Sequence, residues 1–124
     1  MEAAYVAKKR GHKVVLCEKS NELGGQLRLA AVPIAKQELC KVIKFMIRRL
    51  DHEGIEIRLN TEVTKEMLEN EFKDYEIVCS SGATPKEIPP FKVFKNCMTA
   101  DDVLSGKKYP GRNIVVLGGG SDWM

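Results

Sequence analysis

The spacing of apolar and polar positions predicts alternating helices and strands in the first half of the chain. Residues 2–10 place small apolar side chains on one face and stop at Gly11, as an α-helix with a glycine end does. Residues 13–17 are almost continuously apolar, which is typical of a parallel strand covered on both faces. Apolar residues recur at helical spacing over 34–50, and residues 55–59 then alternate as a strand with one exposed face.

Shorter elements are predicted in the second half of the chain. A short amphipathic helix over 64–72 follows a threonine N-cap, and residues 75–79 are apolar enough for another strand. Capping-box spacing over 99–102 predicts one helical turn, and residues 114–117 predict a buried-type strand. These elements predict an α/β fold with a central parallel sheet flanked by helices.

The order helix, glycine, strand and acid is that of the second half of a dinucleotide-binding βαβ unit. Glu18 ends the strand at 13–17, and in such units a ribose-binding acid lies about 20 residues after the glycines of the phosphate turn. Counted back from Glu18, those glycines would precede Met1. We therefore expect a Rossmann-like sheet without its first strand and glycine loop.

The end of the chain predicts the opening of a second unit, because the strand at 114–117 leads directly into three glycines. The expected organisation is a partial FAD-binding domain over 1–112. The first strand and glycine turn of an NAD(P)H-binding unit are expected over 113–124.

Composition excludes several other classes of protein. The chain has 124 residues, 44% of them hydrophobic and 30% charged, which fits one ordinary globular domain. The net charge of +3 comes from 20 basic and 17 acidic residues spread along the chain, with no basic run interleaved with aromatics. No apolar run approaches the length of about 20 residues that a membrane span needs. We expect neither nucleic acid nor a membrane as a partner.

The four cysteines indicate the compartment and argue against a metal site. They are widely spaced and form no C-x-x-C motif, so neither a zinc site, a local iron–sulfur site nor a dithiol centre is expected. Cys17 and Cys79 fall within predicted strands, where free thiols usually behave as small buried hydrophobes. Without a signal peptide pattern at the N-terminus, these features favour the cytoplasm.

Glu18 is the first candidate for binding. A carboxylate at the end of this strand accepts hydrogen bonds from both ribose hydroxyls of an adenosine and repels a 2′-phosphate. Such a site favours FAD or NAD over NADP. The alternative is a solvated glutamate at a strand end.

Two glycine-containing segments are the other candidates. Gly24 and Gly25 allow positive φ and close approach of backbone amides to a ligand, and the alternative is a plain turn. Residues 77–85 form a strand that ends in Ser81 and Gly82, and an ordinary strand exit explains them about equally well.

The ordered motifs VVLCEK, LGGQL, IRLNTEV, IVCSSGATP, TADDVL and NIVVLGGGS resemble one known family. They are similar to the flavin- and nucleotide-binding portion of Old Yellow Enzyme-like NADH:flavin oxidoreductases, the group of dienoyl-CoA reductase, trimethylamine dehydrogenase and enoate or bile-acid oxidoreductases. The resemblance runs to Ser121 and implies truncation at both ends. In that family an FMN-bearing barrel with an iron–sulfur cluster precedes this region, and the sequence contains neither.

The resemblance implies cofactor contacts from five short segments of the chain. They are Glu18 and Lys19 at the FAD ribose, Gly24, Gly25, Gln26, Leu27 and Arg28 along the pyrophosphate and flavin, Val63 at adenine through its backbone, Ser81 and Gly82 close to the cofactor, and Gly118, Gly119 and Gly120 opening the NAD(P)H unit. Two departures stand out. Ser80 and Ser81 replace the usual alanine–threonine pair, and Asp122 interrupts the expected helix start.

No residue pattern indicates a catalytic acid, base or nucleophile, and His12 and His52 are expected at the surface. The leading hypothesis is an FAD-binding part of an NAD(P)H-dependent flavin oxidoreductase, in which the cofactors carry the hydride chemistry. A second hypothesis is a non-catalytic piece that folds or self-associates through an exposed sheet. A third, a nucleic-acid or membrane-surface binder, rests only on the positive charge.

Overall fold

The structure is a computed structural model that describes residues 1–83 and 94–117. The chain divides into one unit over residues 1–86 and a second over residues 87–124. The domain boundary predicted at residue 112 stays a prediction.

The first unit contains the sheet and most of the helices. Its elements are α1 (Glu2–Lys9), β1 (Val15–Cys17), α2 (Gln26–Ala30), a 3-10 turn (Ile34–Lys36), α3 (Leu39–His52), β2 (Glu56–Arg58) and α4 (Lys65–Glu69). The second unit contains α5 (Ala100–Leu104) among its described residues.

Strands β1 and β2 pair in parallel, with Leu16 opposite Ile57. The chain connects them through α2 and α3, as a parallel pair requires a crossover. Backbone bonding continues past both strands, since the Glu18 amide donates to the Arg58 carbonyl and the Thr61 amide donates to the Glu18 carbonyl, each at 2.9 Å. The predicted α/β class with parallel strands is confirmed for this two-stranded sheet.

The core lies between the sheet and the two long helices. Leu50 of α3 is fully buried, and it clusters with the buried Leu23 and Ile55. Partly buried hydrophobic residues from α1, β1, α3 and β2 surround this cluster: Met1, Ala4, Tyr5, Val14, Leu16, Ile47 and Ile57. Burial of apolar surface at this point fixes α3 against both strands.

A polar contact joins α1 to α3 at the edge of the core. The Arg49 guanidinium donates two hydrogen bonds to the Glu2 carboxylate, at 2.7 and 3.1 Å. Its carbon atom lies 3.5 Å from the centre of the Tyr5 ring, so the same cation also stacks on an aromatic face. Both contacts raise the pKa of Arg49, the hydrogen bond to Glu2 most of all.

The structure corrects the predictions over 34–50 and 75–79. The long helix begins at Leu39, because the chain after Pro33 first forms a 3-10 turn, and α2 was not predicted at all. Residues 75–79 form no strand, because they have no ladder partner among the described residues. Ile77 and Val78 accordingly remain 56% and 72% exposed.

Helix α5 begins with the capping box predicted from the sequence. The Asp102 amide donates to Thr99 Oγ1 at 3.1 Å, and the Thr99 amide donates to Asp102 Oδ2 at 3.2 Å. Later in the second unit, residues 114–117 form no ladder with described residues. Val115 and Val116 are 85% and 86% exposed, so the predicted buried strand is not formed in this part of the structure.

Candidate functional site

Glu18 lies immediately beyond the carboxyl end of β1, where ligands of parallel α/β sheets bind. It is half-buried, and its backbone is held on both sides by the bonds to Arg58 and Thr61. Its Oε1 accepts a hydrogen bond from the Ser20 amide at 2.9 Å, which orients the carboxylate. Within the described residues its Oε2 accepts no hydrogen bond, so this atom is available to a ligand hydroxyl.

Lys19 and Glu62 form an ion pair beside Glu18. Lys19 Nζ lies 2.7 Å from Glu62 Oε1, and both side chains are more than two-thirds exposed. The backbones of the two segments run together here, because the Asn60 amide donates to the Ser20 carbonyl at 2.9 Å. The cation next to Glu18 therefore has an anionic partner within the protein.

The glycine pair forms the tight turn that the sequence predicted. Gly24 has a φ of +121°, and Gly25 has a φ of +47° with a ψ of −134°. Residues with a Cβ rarely adopt these backbone conformations. A Cβ on Gly24 would lie 3.2 Å from Arg28 and from Ile43 of α3. No atom of residues 1–83 or 94–117 lies within 4 Å of the corresponding point on Gly25. The turn is thus packed on α3 at one glycine and open at the other.

Arg28 fastens this turn rather than reaching outward. Its Nε donates to the Leu23 carbonyl at 2.6 Å, and its Nη1 lies 3.0 Å from the Glu22 carboxylate. Leu27, the preceding residue, is half-buried. The guanidinium therefore fixes the loop that carries Gly24.

The structure brings the second and third candidate segments together. Gln26 Nε2 donates to the Ala83 carbonyl at 2.6 Å, across 57 residues of chain. Gly82, directly before Ala83, has a φ of +75°, and no described residue lies within 4 Å of the point where a Cβ would stand. Ser81 is exposed, and its Oγ lies 3.6 Å from Cys79 Sγ. Gln26, Ser81 and Gly82 thus belong to one surface.

The remaining predicted residues are less fully placed. Val63 is 41% exposed. It directly follows Glu62, whose side chain pairs with Lys19 next to Glu18. Gly118, Gly119 and Gly120 lie outside the described residues.

One of the two thiols predicted in strands differs from the prediction. Cys79 is exposed, because residues 75–79 lack strand neighbours, and its hydrogen bond with Ser81 lowers its pKa. Cys17 is half-buried as part of β1, and burial raises its pKa. His12 and His52 are exposed, as predicted.

The described residues contain neither a metal-binding cluster nor a helix suited to a membrane. Across residues 1–83 and 94–117, no group of three or more histidine, cysteine, aspartate or glutamate side chains is placed to hold a metal ion. In the same residues no helix has both the length and the apolar character to cross a bilayer.

Sequence reasoning missed two parts of this site. Glu62 was not predicted as a site residue, although its position shortly after β2 was a usable signal. The Ala83 carbonyl was missed because a backbone acceptor leaves no trace in residue type.

Comparison with known proteins gives the chain's relatives. No family model matches it. It is 35% identical over 125 residues to a metal reductase of Desulforamulus reducens and 36% identical over 122 residues to a bilirubin reductase of Mediterraneibacter gnavus. These alignments cover 98% and 97% of this chain but 19% of each relative, so the chain spans about a fifth of their length.

A solved structure supports the same relationship. The complex of 2-naphthoyl-CoA reductase with 2-naphthoyl-CoA superposes with a TM-score of 0.78 at 27% identity, over 89% of this chain and 17% of that one. The resemblance stated from the sequence is confirmed. The chain is homologous to one segment of oxidoreductases of the Old Yellow Enzyme and dienoyl-CoA reductase group.

Proposed function

We propose that this segment of an Old Yellow Enzyme-like reductase is a Rossmann-like dinucleotide-binding segment that binds FAD. The observation that carries the proposal is the position of Glu18, a half-buried and oriented carboxylate at the carboxyl end of a parallel strand. A carboxylate in this position accepts hydrogen bonds from ribose hydroxyls.

Two glycine segments that follow Glu18 in the chain leave room for a dinucleotide. Gly25 and Gly82 leave open space beside their backbones, which lets a ligand approach the main chain. Gln26 connects the two glycine segments through Ala83, so both face the same ligand. In this assignment Glu18 holds the ribose, Val63 borders the adenine, and Gly24 to Leu27 line the pyrophosphate together with Ser81 and Gly82. Arg28 fixes the turn that carries them.

The electron-transfer role follows from the same family resemblance. Bound FAD supplies the hydride and electron chemistry, and this segment binds and orients it. We propose that electrons pass between a nicotinamide, bound at a second unit opened by Gly118, Gly119 and Gly120, and this flavin. The iron–sulfur cluster and FMN would belong to a separate barrel, and the compartment would be the cytoplasm.

Titration of the 124-residue chain with FAD, followed by flavin fluorescence polarisation, tests the binding step. We expect saturable binding that Glu18→Ala weakens by about tenfold or more, since hydrogen bonds to a charged group contribute about 1.5–3 kcal/mol. Glu69→Ala, an exposed acid on α4, is the matched control and leaves binding unchanged. Absence of saturable binding, or equal affinities for the wild type and Glu18→Ala, would overturn the proposal.

Two exposed apolar segments favour self-association as a second, non-catalytic role. Ile77 and Val78 in the first unit, and separately Val115 and Val116 in the second, expose apolar side chains from backbone that forms no ladder with described residues. Such backbone is a template for pairing with another chain. Sedimentation velocity tests this role: a concentration-dependent dimer supports it, and a monomer at all concentrations contradicts it.

A further inference from the structure

We infer that Glu62 is a specificity-determining residue, which makes the ribose end of the site reject an adenosine that carries a 2′-phosphate. It would do so by holding Lys19. This inference rests on the proposed function, because it concerns the ligand of the same site.

Lys19 is the cation that lies next to Glu18 along the chain. It directly follows Glu18, whose carboxylate is assigned to the ribose hydroxyls, and its own segment is bonded to the segment after β2. In sites that accept a 2′-phosphate, a nearby cation is what compensates its charge.

Glu62 makes this cation less available to a 2′-phosphate. The Lys19 ammonium lies 2.7 Å from Glu62 Oε1, so its charge is compensated within the protein. With Glu18 included, the three side chains carry two negative charges and one positive charge. A 2′-phosphate would therefore meet a net negative surface, whereas a neutral 2′-hydroxyl donates to Glu18 without this penalty.

The ion pair also acts through geometry. A lysine side chain has many rotamers, and the contact to Glu62 selects those that point across to the segment after β2. Without the Glu62 charge, Lys19 is free to turn toward a phosphate on the ribose. Because both side chains are largely exposed, the expected effect on affinity is moderate.

Two ligands that differ only at the 2′ oxygen test the inference: ADP-ribose and 2′-phospho-ADP-ribose. Their dissociation constants are measured by calorimetry on the full 124-residue chain at low salt. The wild type binds ADP-ribose more tightly. In Glu62→Gln the affinity for 2′-phospho-ADP-ribose rises about threefold to fivefold, while that for ADP-ribose changes by less than about twofold.

Two further variants identify the cause. The double variant Lys19→Gln/Glu62→Gln shows no such gain in affinity for 2′-phospho-ADP-ribose, because the Lys19 cation that Glu62→Gln releases has been removed. Glu69→Gln removes one carboxylate from the exposed ion pair with Lys65 on α4 and leaves the ratio of the two affinities unchanged. If Glu69→Gln raised the affinity for 2′-phospho-ADP-ribose as much as Glu62→Gln does, the net charge of the protein would explain the effect, and the role of Glu62 would be overturned.

The outcomes separate this inference from the proposed function. If the wild type binds neither ligand and no FAD, the proposed function and the inference fail together. If ADP-ribose binds and the affinity ratio in Glu62→Gln equals that of the wild type, the assignment of Glu62 fails and the proposed function stands.

Discussion

Gln26 and Ala83 are joined by a 2.6 Å hydrogen bond from the Gln26 side-chain amide to the Ala83 carbonyl. Gln26 is the first residue of α2, directly after the glycine turn, and Ala83 directly follows Gly82. The bond is the direct contact between the two glycine-containing segments on which the proposed cofactor site depends.

Loss of the Gln26 side chain should weaken FAD binding more than it weakens the fold. In Gln26→Ala, residues 81–83 lose their tether to the turn, so we expect severalfold weaker binding of FAD. The free energy of unfolding should fall by only about 0.5–1.5 kcal/mol, as for one ordinary hydrogen bond. FAD titration and urea unfolding measure the two effects. Gln37→Ala, at another exposed glutamine, is the control, and equal effects of both variants would contradict the prediction.

A methyl group on Gly24 should destabilise the fold through two separate effects. Gly24→Ala forces an alanine to a φ of +121° and places its Cβ 3.2 Å from Arg28 and Ile43, for an expected loss of about 2–4 kcal/mol. Gly11→Ala is the control, since Gly11 has a φ of +89° but no atom within 4 Å of the added carbon. Its loss should be about 1–2 kcal/mol. Urea unfolding of both variants measures the difference, and equal losses would show that the contact with α3 contributes nothing.

Replacement of Arg49 by lysine should lower the melting temperature. A lysine keeps the charge but cannot donate two parallel bonds to Glu2 while it stacks on Tyr5. We expect Arg49→Lys to lower the midpoint of thermal unfolding by a few degrees. Arg48→Lys, at the neighbouring exposed arginine, should leave it unchanged. Circular dichroism measures the midpoints of thermal unfolding, and identical midpoints for the wild type and Arg49→Lys would contradict the role given to Arg49.

The cap of α5 should weaken in acid. The pKa of Asp102 is lowered, first by the hydrogen bond from the Thr99 amide and then by Lys108. A carboxyl whose pKa is lower in the folded state stabilises that state above its unfolded pKa of about 4. This contribution is lost as the pH falls through the lower folded pKa.

Amide exchange of α5 as a function of pH measures this loss. After correction for the intrinsic exchange rates, protection of the α5 amides should fall below about pH 4 in the wild type and in Asp101→Asn. In Asp102→Asn it should be lower at neutral pH and insensitive to acid over this range. An acid-sensitive Asp102→Asn variant would assign the effect to another group.

The sequence predicted the elements that local pattern determines. Helix α1, the β1 and β2 strands and the Thr99 cap are set by periodicity and capping residues, which act within a few positions. The strand predicted over residues 75–79 was wrong, because strand formation needs a paired neighbour and an apolar run does not supply one. Exposure of Cys79 follows from the same missing partner.

The candidate site was also predicted only in part, for the same reason. Glu18 and the glycine pair were predicted because residue type and spacing carry their chemistry. The bond from Gln26 to Ala83 and the pair Lys19–Glu62 connect residues 57 and 43 positions apart, and such contacts arise only once the chain has folded.

The packing of Gly24 against Ile43 has a consequence for the dynamics of the turn. Ile43 is 3% exposed and belongs to α3, whose Leu50 lies at the centre of the core. A turn held by the buried face of a helix opens together with that helix, as one cooperative unit. Hydrogen exchange at Leu27 and Arg28, whose amides donate to the Gly24 and Gly25 carbonyls, should therefore keep pace with α3 and be slower than in exposed loops, so that the proposed nucleotide contact would be preformed before any ligand arrives.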